Sequence, residues 1–441
     1  MGAATSTAAP ESMSLDRAID YALAHQPQIV AARARLRAAQ SEAGVPRAAW
    51  LPKVGGLAEL AGSTANNSTT TPFSNPAVDL PRIGGTRISD SPDWQPYAST
   101  VLALGVRQQL YDFGRTAARS AALDALAAAS QEQLRTARLD TVYAVTEAYF
   151  AVRAAHAVLD VATATETRAR AHRDFAKSGV DSGLRPPIER TRAEADLARF
   201  QVGRIRADGG LRLARSIFSA AVGSEQLELD AADGPFDTEP LPSLPDAVAR
   251  ADERDPAVRE ALADLRAQRA RTNAIDASAR PRLFLTGSVS GRAGGAPASS
   301  GPTPSGDGFA PLVPNYDAGI VLSWPIYEPT VRAEAFASER REDAARAAVD
   351  VARQRAVAAL VRAYENTDLA AASLDALNRG ADLARANYTQ AETRFQSGLG
   401  SSIELADAET LRTEAEVQLA IGKFQLAMAR AAVARATSEE R

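Results

Sequence analysis

The side chains best suited to exchange protons or hold a metal are few and widely separated. His25, His156 and His172 are the three histidines, and they share neither metal-ligand nor triad spacing. His156 falls in an apolar helical seam, where packing is its simpler role. Gly287-Ser288-Val289-Ser290-Gly291 has the glycine frame of a nucleophile elbow but valine at its centre. There is no cysteine, which removes thiol catalysis, disulfides, cysteine metal sites and a lipid-modified N-terminal cysteine. No phosphate loop occurs, and three methionines with three histidines form no metal-ion path. No enzyme and no cofactor are expected. The polar groups with organised spacing are instead two acids that follow glycine turns at the same interval, Glu189 after Gly183 and Glu404 after Gly398. Ser401-Ser402-Ile403-Glu404 also reads as a capping box, and an acid in a first helical turn complements the helix dipole.

The elements that must position these groups are mainly long helices. The chain has 441 residues, is 45% hydrophobic and only 5% aromatic, and alanine dominates over long tracts with Arg, Glu and Leu. Such composition favours closely packed helices. A net charge of −4 gives no basic surface, so no nucleic-acid partner is expected. No run of 18 apolar residues is present, and the opening MGAATSTAAPES lacks the apolar core of a signal peptide. The start matches a short myristoylation pattern through Gly2 and Ser6, read here as incidental.

Self-similarity organises the chain. SLDRAIDYALAHQPQIVAARARLRAAQ resembles SLPDAVARADERDPAVREALADLRAQRA without a gap, setting Ala18 on Ala247, Pro27 on Pro256, Leu36 on Leu265 and Pro52 on Pro281. Ser182-Gly183-Leu184 with Ile188-Glu189 and Ala193-Glu194 returns as Ser397-Gly398-Leu399 with Ile403-Glu404 and Ala408-Glu409. The organisation expected is a disordered segment 1–12, a first repeat 13–228, a linker 229–243, a second repeat 244–436 and a tail 437–441. The first repeat comprises a helix from Leu15 to about Ala49, strands 53–62 and 98–110, a long helix 114–178 and a helix 187–222. In the second, a helix is followed by strands 282–291 and 315–327, a long helix 331–396 and a helix 402–435. Val142, Val145, Tyr149, Val152, His156 and Leu159 have the 3-and-4 spacing of a coiled-coil seam.

The strand segments alternate with a period of 2. Tyr316, Ala318, Ile320, Leu322, Trp324 and Ile326 oppose Asp317, Gly319, Val321 and Ser323, and Leu102, Leu104, Val106 and Leu110 oppose Ser99, Ala103, Arg107 and Gln109. One face suits lipid and the other water. At about ten residues, each strand matches a tilted membrane span. The intervening loops, 63–95 and 292–314, are rich in Gly, Ser, Thr, Asn and Pro and are expected to face solvent. Four strands cannot close a barrel, eight close around filled interiors, and twelve leave a lumen, so a trimer is the simplest porous solution. A soluble periplasmic coiled-coil scaffold or adaptor would share the helices but would not need lipid-facing strands.

Two such repeats, with Leu110-Tyr111-Asp112-Phe113-Gly114-Arg115 opening one long helix and Ser-Gly-Leu turns closing both, resemble the outer membrane efflux protein (TolC) family across nearly the whole chain. The resemblance implies a mainly α chain with a membrane β-barrel portion. It implies a homotrimer, with a 12-stranded barrel in the outer-membrane lipid of a Gram-negative bacterium and a coiled-coil tunnel in the periplasm. It further implies an exit duct for efflux or type I secretion, met at its tip by a periplasmic adaptor and an inner-membrane transporter. By the family's pattern, Glu404 and Asp407, with Glu189, would form the acidic ring of a closed tip, while Arg192 stands where the first repeat would match Asp407. A carboxylate ring in a narrow opening favours cations, and multivalent cations would block it. Phe395 and Gly400 occupy positions where some relatives have a locking tyrosine and arginine, so the tip is expected to be held differently here.

Overall fold

The computed structural model describes residues 12–64, 94, 96–226, 228–234, 240–294 and 313–437. In chain order the elements are β1 (Ser12–Met13), α1 (Leu15–His25), α2 (Pro27–Gly44), β2 (Lys53–Thr64), β3 (Pro96–Tyr111), α3 (Arg115–Asp181), α4 (Pro187–Val222) and β4 (Asp230–Ala231). They continue with α5 (Leu244–Ala249), α6 (Ala251–Arg254), α7 (Pro256–Asp276), β5 (Arg282–Gly294), β6 (Val313–Ser323), α8 (Pro329–Gln396) and α9 (Ser402–Ala436). The chain divides into two compact units, one of Met1–Arg37, Ala128–Ala263 and Arg346–Arg441, the other of Ala38–Ala127 and Asp264–Ala345.

The first unit is built on the seam expected from the sequence. Val145, Tyr149 and Val152 are buried against Phe218 and Val222 of α4 and Ile19 of α1. Small alanines at the intervening positions let the helices approach closely. His156 departs from its expected apolar role: its Nε2 lies 2.7 Å from Asp230 Oδ1, and Arg215 donates to the other oxygen of that carboxylate at 2.5 Å. Asp230 belongs to β4, which pairs in parallel with β1, and this brings a polar partner to a position that helical spacing alone marks as apolar. Ser12, assigned above to a disordered segment, pairs with Asp230, and residues 1–11 lie outside the described residues.

The helix expected from Leu15 to Ala49 is two α-helices and a 3-10 turn (Val45–Trp50). Pro27, the first residue of α2, disfavours helical geometry at the preceding Gln26, whose φ of −58° and ψ of 125° are extended. The freed Gln26 side chain donates from Nε2 to the carbonyls of Ala220 at 3.2 Å and Ala221 at 2.9 Å, capping the end of α4. Pro256 breaks the equivalent helix of the second repeat in the same way, with Asp255 accepting from the amides of Ala257 and Val258.

The second unit holds a four-stranded antiparallel sheet in the order β2-β3-β5-β6. Lys53 pairs with Arg107, Arg107 with Thr286 and Arg282 with Ser323, so β2 and β6 each keep one edge without a partner among the described residues. On one face Leu102, Leu104, Val106, Leu285, Val289, Ile320 and Leu322 are exposed, as the alternation required. β6 ends at Ser323, short of the 327 expected, because its neighbour begins at Arg282 after Pro281 and leaves nothing to pair with Trp324, itself followed by Pro325. Trp324 is thus just beyond the strand, 57% exposed. Pairing in the other strands outruns the apolar alternation by a few residues. Apart from strand ends and Trp94, the loops 63–95 and 292–314 lie outside the described residues.

The Tyr-Asp-Phe-Gly-Arg segment turns β3 into α3. Phe113 and Gly114 both take positive φ, 53° and 86°. Buried Asp112 compensates by accepting from Gly114 N at 3.1 Å, Thr116 N at 2.6 Å and Gln109 Nε2 at 3.2 Å. Asp112→Ala leaves the amides of Gly114 and Thr116 without their side-chain acceptor and is expected to destabilise the protein by about 1–2 kcal/mol. A lowered thermal midpoint relative to wild type checks this, and an unchanged midpoint would count against the capping role.

Candidate functional site: the helix-hairpin tips

The α3–α4 and α8–α9 connections are built alike. In the first, Leu184 N donates to Gly179 O at 2.9 Å and Gly183 N to Val180 O at 3.0 Å; in the second, Leu399 N donates to Arg394 O at 2.9 Å and Gly398 N to Phe395 O at 3.1 Å. Both are Schellman closures, which need a left-handed residue after the helix. Gly183 and Gly398 supply it, with φ of 72° and 76°. The helices then restart differently: Pro187 occupies the first turn of α4, whereas Ser401 Oγ accepts from Glu404 N at 3.2 Å to cap α9. Leu184 and Leu399, which could fold back onto their own helices, remain 83% and 76% exposed, with Ile188 and Ile403 exposed beside them.

One arginine ties the two tips together. Arg185 donates to the Phe395 carbonyl at 2.8 Å and to Glu189 Oε2 at 2.7 Å, and its guanidinium lies 3.8 Å from the centroid of the Phe395 ring. Phe395 is buried in a cluster with Tyr388, Ala391, Leu405 and Ala408, and the His172 ring meets it edge-on at 4.8 Å. A Cβ on Gly400 would stand 3.0 Å from Phe395 N, so a larger residue there would need the Phe395 backbone to give by a few tenths of an ångström. Farther from the tip, Arg168 of α3 grips Glu409 of α9 with bonds of 2.9 to 3.2 Å, and Thr165 meets Thr413 at 3.0 Å. Glu416 is held by Arg385 and Arg412; burial acts to raise its pKa, but these bonds outweigh it and keep the carboxyl below its usual range.

A scan against family models matches the outer membrane efflux protein family over residues 18–224 and again over 247–439. The chain belongs to the outer membrane efflux protein family. The two matched segments begin at Ala18 and Ala247, the same residues that align the internal duplication. Protein CyaE of Bordetella pertussis is 26% identical over 408 residues, 91% of this chain and 78% of that protein. The outer-membrane channel OprN superposes with a TM-score of 0.76 at 22% identity, covering 97% of this chain and 90% of that one. The open state of the Neisseria gonorrhoeae MtrE outer membrane channel gives 0.73 at 20% identity, covering 96% and 88%. The protein is therefore an outer-membrane channel of this family, an exit duct for efflux or secretion with the helical tunnel and barrel fold.

Within that frame the acids expected at the tip separate. Glu189 is bonded to Arg185 and its side chain is only 19% exposed, so its charge is paired inside the chain rather than presented to a ring. Glu404 is partly exposed and shares an ion pair with Arg394 at 3.0 Å. Asp407 is exposed and has no partner among the described residues, and the same holds for Arg192. Sequence reasoning missed Arg185, Arg394 and His172. Only the duplication offered a signal, since Arg185 has no arginine counterpart in the second turn.

Arg185→Ala removes two hydrogen bonds and a cation–π contact and is expected to raise amide exchange across Phe395–Gly400 at least tenfold, a ratio that hydrogen-exchange mass spectrometry reads. His172 adds a pH dependence. Its Nε2 is buried with no hydrogen-bond partner, and burial, reinforced by the Arg185 cation, pushes it below its ordinary value of 6.5, although Asp196, Glu189 and Glu392 act to raise it. The folded tip therefore holds a neutral ring, while the unfolded segment takes up a proton at higher pH. Its stabilisation is complete above about pH 6.5 and falls as pH drops through the folded value. Exchange at the tip, corrected for intrinsic rate, should rise between pH 7.5 and 5.5 and flatten in His172→Gln.

Proposed function

We propose that three copies of this chain close a twelve-stranded barrel and act as a passive duct, opened when a periplasmic adaptor and an inner-membrane transporter engage the hairpin tips. The observation that carries this is the sheet of a family member with one exposed apolar face and two unpaired outer strands. In a barrel, β6 of one copy would pair with β2 of the next, and no peptide group would be left bare in hydrocarbon. Tyr316, in the first half of β6, and Trp324, just beyond its other end, suit the two interfaces. The exposed Leu184, Ile188, Leu399 and Ile403 offer an adaptor an apolar landing surface at the tip.

Three-fold symmetry would gather Asp407 into a ring, with the partly exposed Glu404–Arg394 pair beside it. Such a ring favours cations and is blocked by multivalent ones. Intramolecular ties at Arg185 and Arg168 hold the hairpins in one arrangement, and adaptor binding must offset them.

Planar-bilayer recording tests both parts. Purified protein should need detergent, elute as a trimer and add discrete conductance; a protein that stays monomeric without detergent and conducts nothing would sink the duct. Glu404→Gln with Asp407→Asn should lower cation preference and weaken block by a trivalent cation severalfold, and unchanged selectivity would remove the ring alone.

A further inference from the structure

The face of the sheet opposite the apolar one carries a feature that a passive duct leaves unused. Lys53, Arg107, Arg115, Arg119 and Arg282 converge on one cavity of about 300 Å³. The register explains the convergence: Lys53 stands opposite Arg107 across β2 and β3, Gln109 stands opposite Phe284 across β3 and β5, and Arg282 shares the face of Phe284 two residues on. Arg115 and Arg119 add a fourth and fifth cation from neighbouring positions on the first turns of α3.

None of the described residues lining this cavity is acidic. Asp112 stands next to it in sequence, but its oxygens are taken by Gly114 N, Thr116 N and Gln109 Nε2. Arg115 donates from one terminal nitrogen to Ser278 O at 2.8 Å, yet its Nε is buried without a partner, and so is the Nε of Arg282. The Arg107 guanidinium is stacked 4.0 Å above the Phe284 ring, which orients it. Burial, then Arg282 and Arg119, pulls the pKa of Arg115 below its ordinary value, and the fields of Glu328 and Asp112 only partly offset this. The fold thus gathers like charges and leaves buried donors open.

We propose that this pocket binds a multiply charged oxyanion, the phosphate or polycarboxylate group of a solute, at one site per chain. Guanidinium forks match such oxygens in pairs, and Phe284 holds the Arg107 fork in one orientation. Leu104, Val106 and Leu285 lie on the other face, so the site is turned away from the lipid surface. Its placement in a lumen rests on the duct reading; the binding does not. In a trimer, three such sites would form a basic zone that favours anionic cargo.

Calorimetric titration of the full-length, detergent-purified protein with inorganic pyrophosphate tests the site. Saturable binding at one equivalent per chain is expected, weakened at least tenfold by Arg115→Gln with Arg282→Gln. Lys53→Gln with Arg119→Gln, both at exposed positions whose change leaves packing intact, should weaken it severalfold with unaltered oligomeric state and circular dichroism. No saturable binding, or wild-type affinity in both double variants, overturns the proposal. If micelles carrying phosphatidic acid saturate the cluster and free pyrophosphate does not, the ligand is a lipid headgroup and the solute assignment fails. Binding without bilayer conductance would sink the duct and keep the site, whereas conductance without binding would sink the site alone.

Discussion

Unpaired peptide groups along β2 and β6 constrain everything else about this protein. In water an open sheet edge is tolerable, but in hydrocarbon each bare amide or carbonyl costs several kcal/mol, so the sheet must find more strands before it can lie in a membrane. The exposed leucine, valine and isoleucine face makes water an equally poor environment. Closure against further copies would satisfy both demands, and the long helices that leave the same strands would then repeat around one axis. Gly-rich and Ser-rich strand positions on the other face are consistent with an interior that side chains do not fill.

Hydrogen bonds from arginine hold the hairpin tips at the far end of the helices. Phe395 has no hydroxyl to donate, and Gly400 has no side chain at all, yet the tip is bonded through the backbone carbonyl of Phe395 and the guanidinium of Arg185. Glu166, Glu409 and Glu416 continue this pattern inward, each buried carboxylate held by one or two arginines. Buried pairs of this kind contribute little net stability compared with apolar packing, but breaking one leaves an uncompensated charge, so they discriminate sharply between correct and shifted helix register. Long alanine-rich helices, whose apolar surface is nearly uniform, have particular need of such markers.

Much of the fold was legible because it rests on periodicity. A 3-and-4 seam, a period of 2 in four segments and an internal duplication each depend on residues near one another in sequence, and the long helices begin and end within a few residues of where glycine and proline place them. The misreadings have a common origin in contacts made by distant chain. His156 fits an apolar seam until β4 brings Asp230 to it, and Trp324 fits a strand until β5 proves too short to pair with it. Glu189 matches Glu404 in the duplication but differs in environment, because Arg185 lies beside it and reaches across to the other hairpin.

The amino-acid order by itself determined the helix and strand periods, the turns at Gly183 and Gly398, and the two-faced character of the strands, since all of these follow from backbone preference and the spacing of apolar side chains. Tertiary structure decided which charges are paired and which remain open. Arg185, Arg168 and Arg394 find carboxylates or carbonyls from other helices or across a turn, Asp407 finds none among the described residues, and five cations from three strands and one helix meet around a single cavity. Electrostatic partnership depends on distances of a few ångströms between segments that lie up to hundreds of residues apart, and a linear pattern does not carry that information.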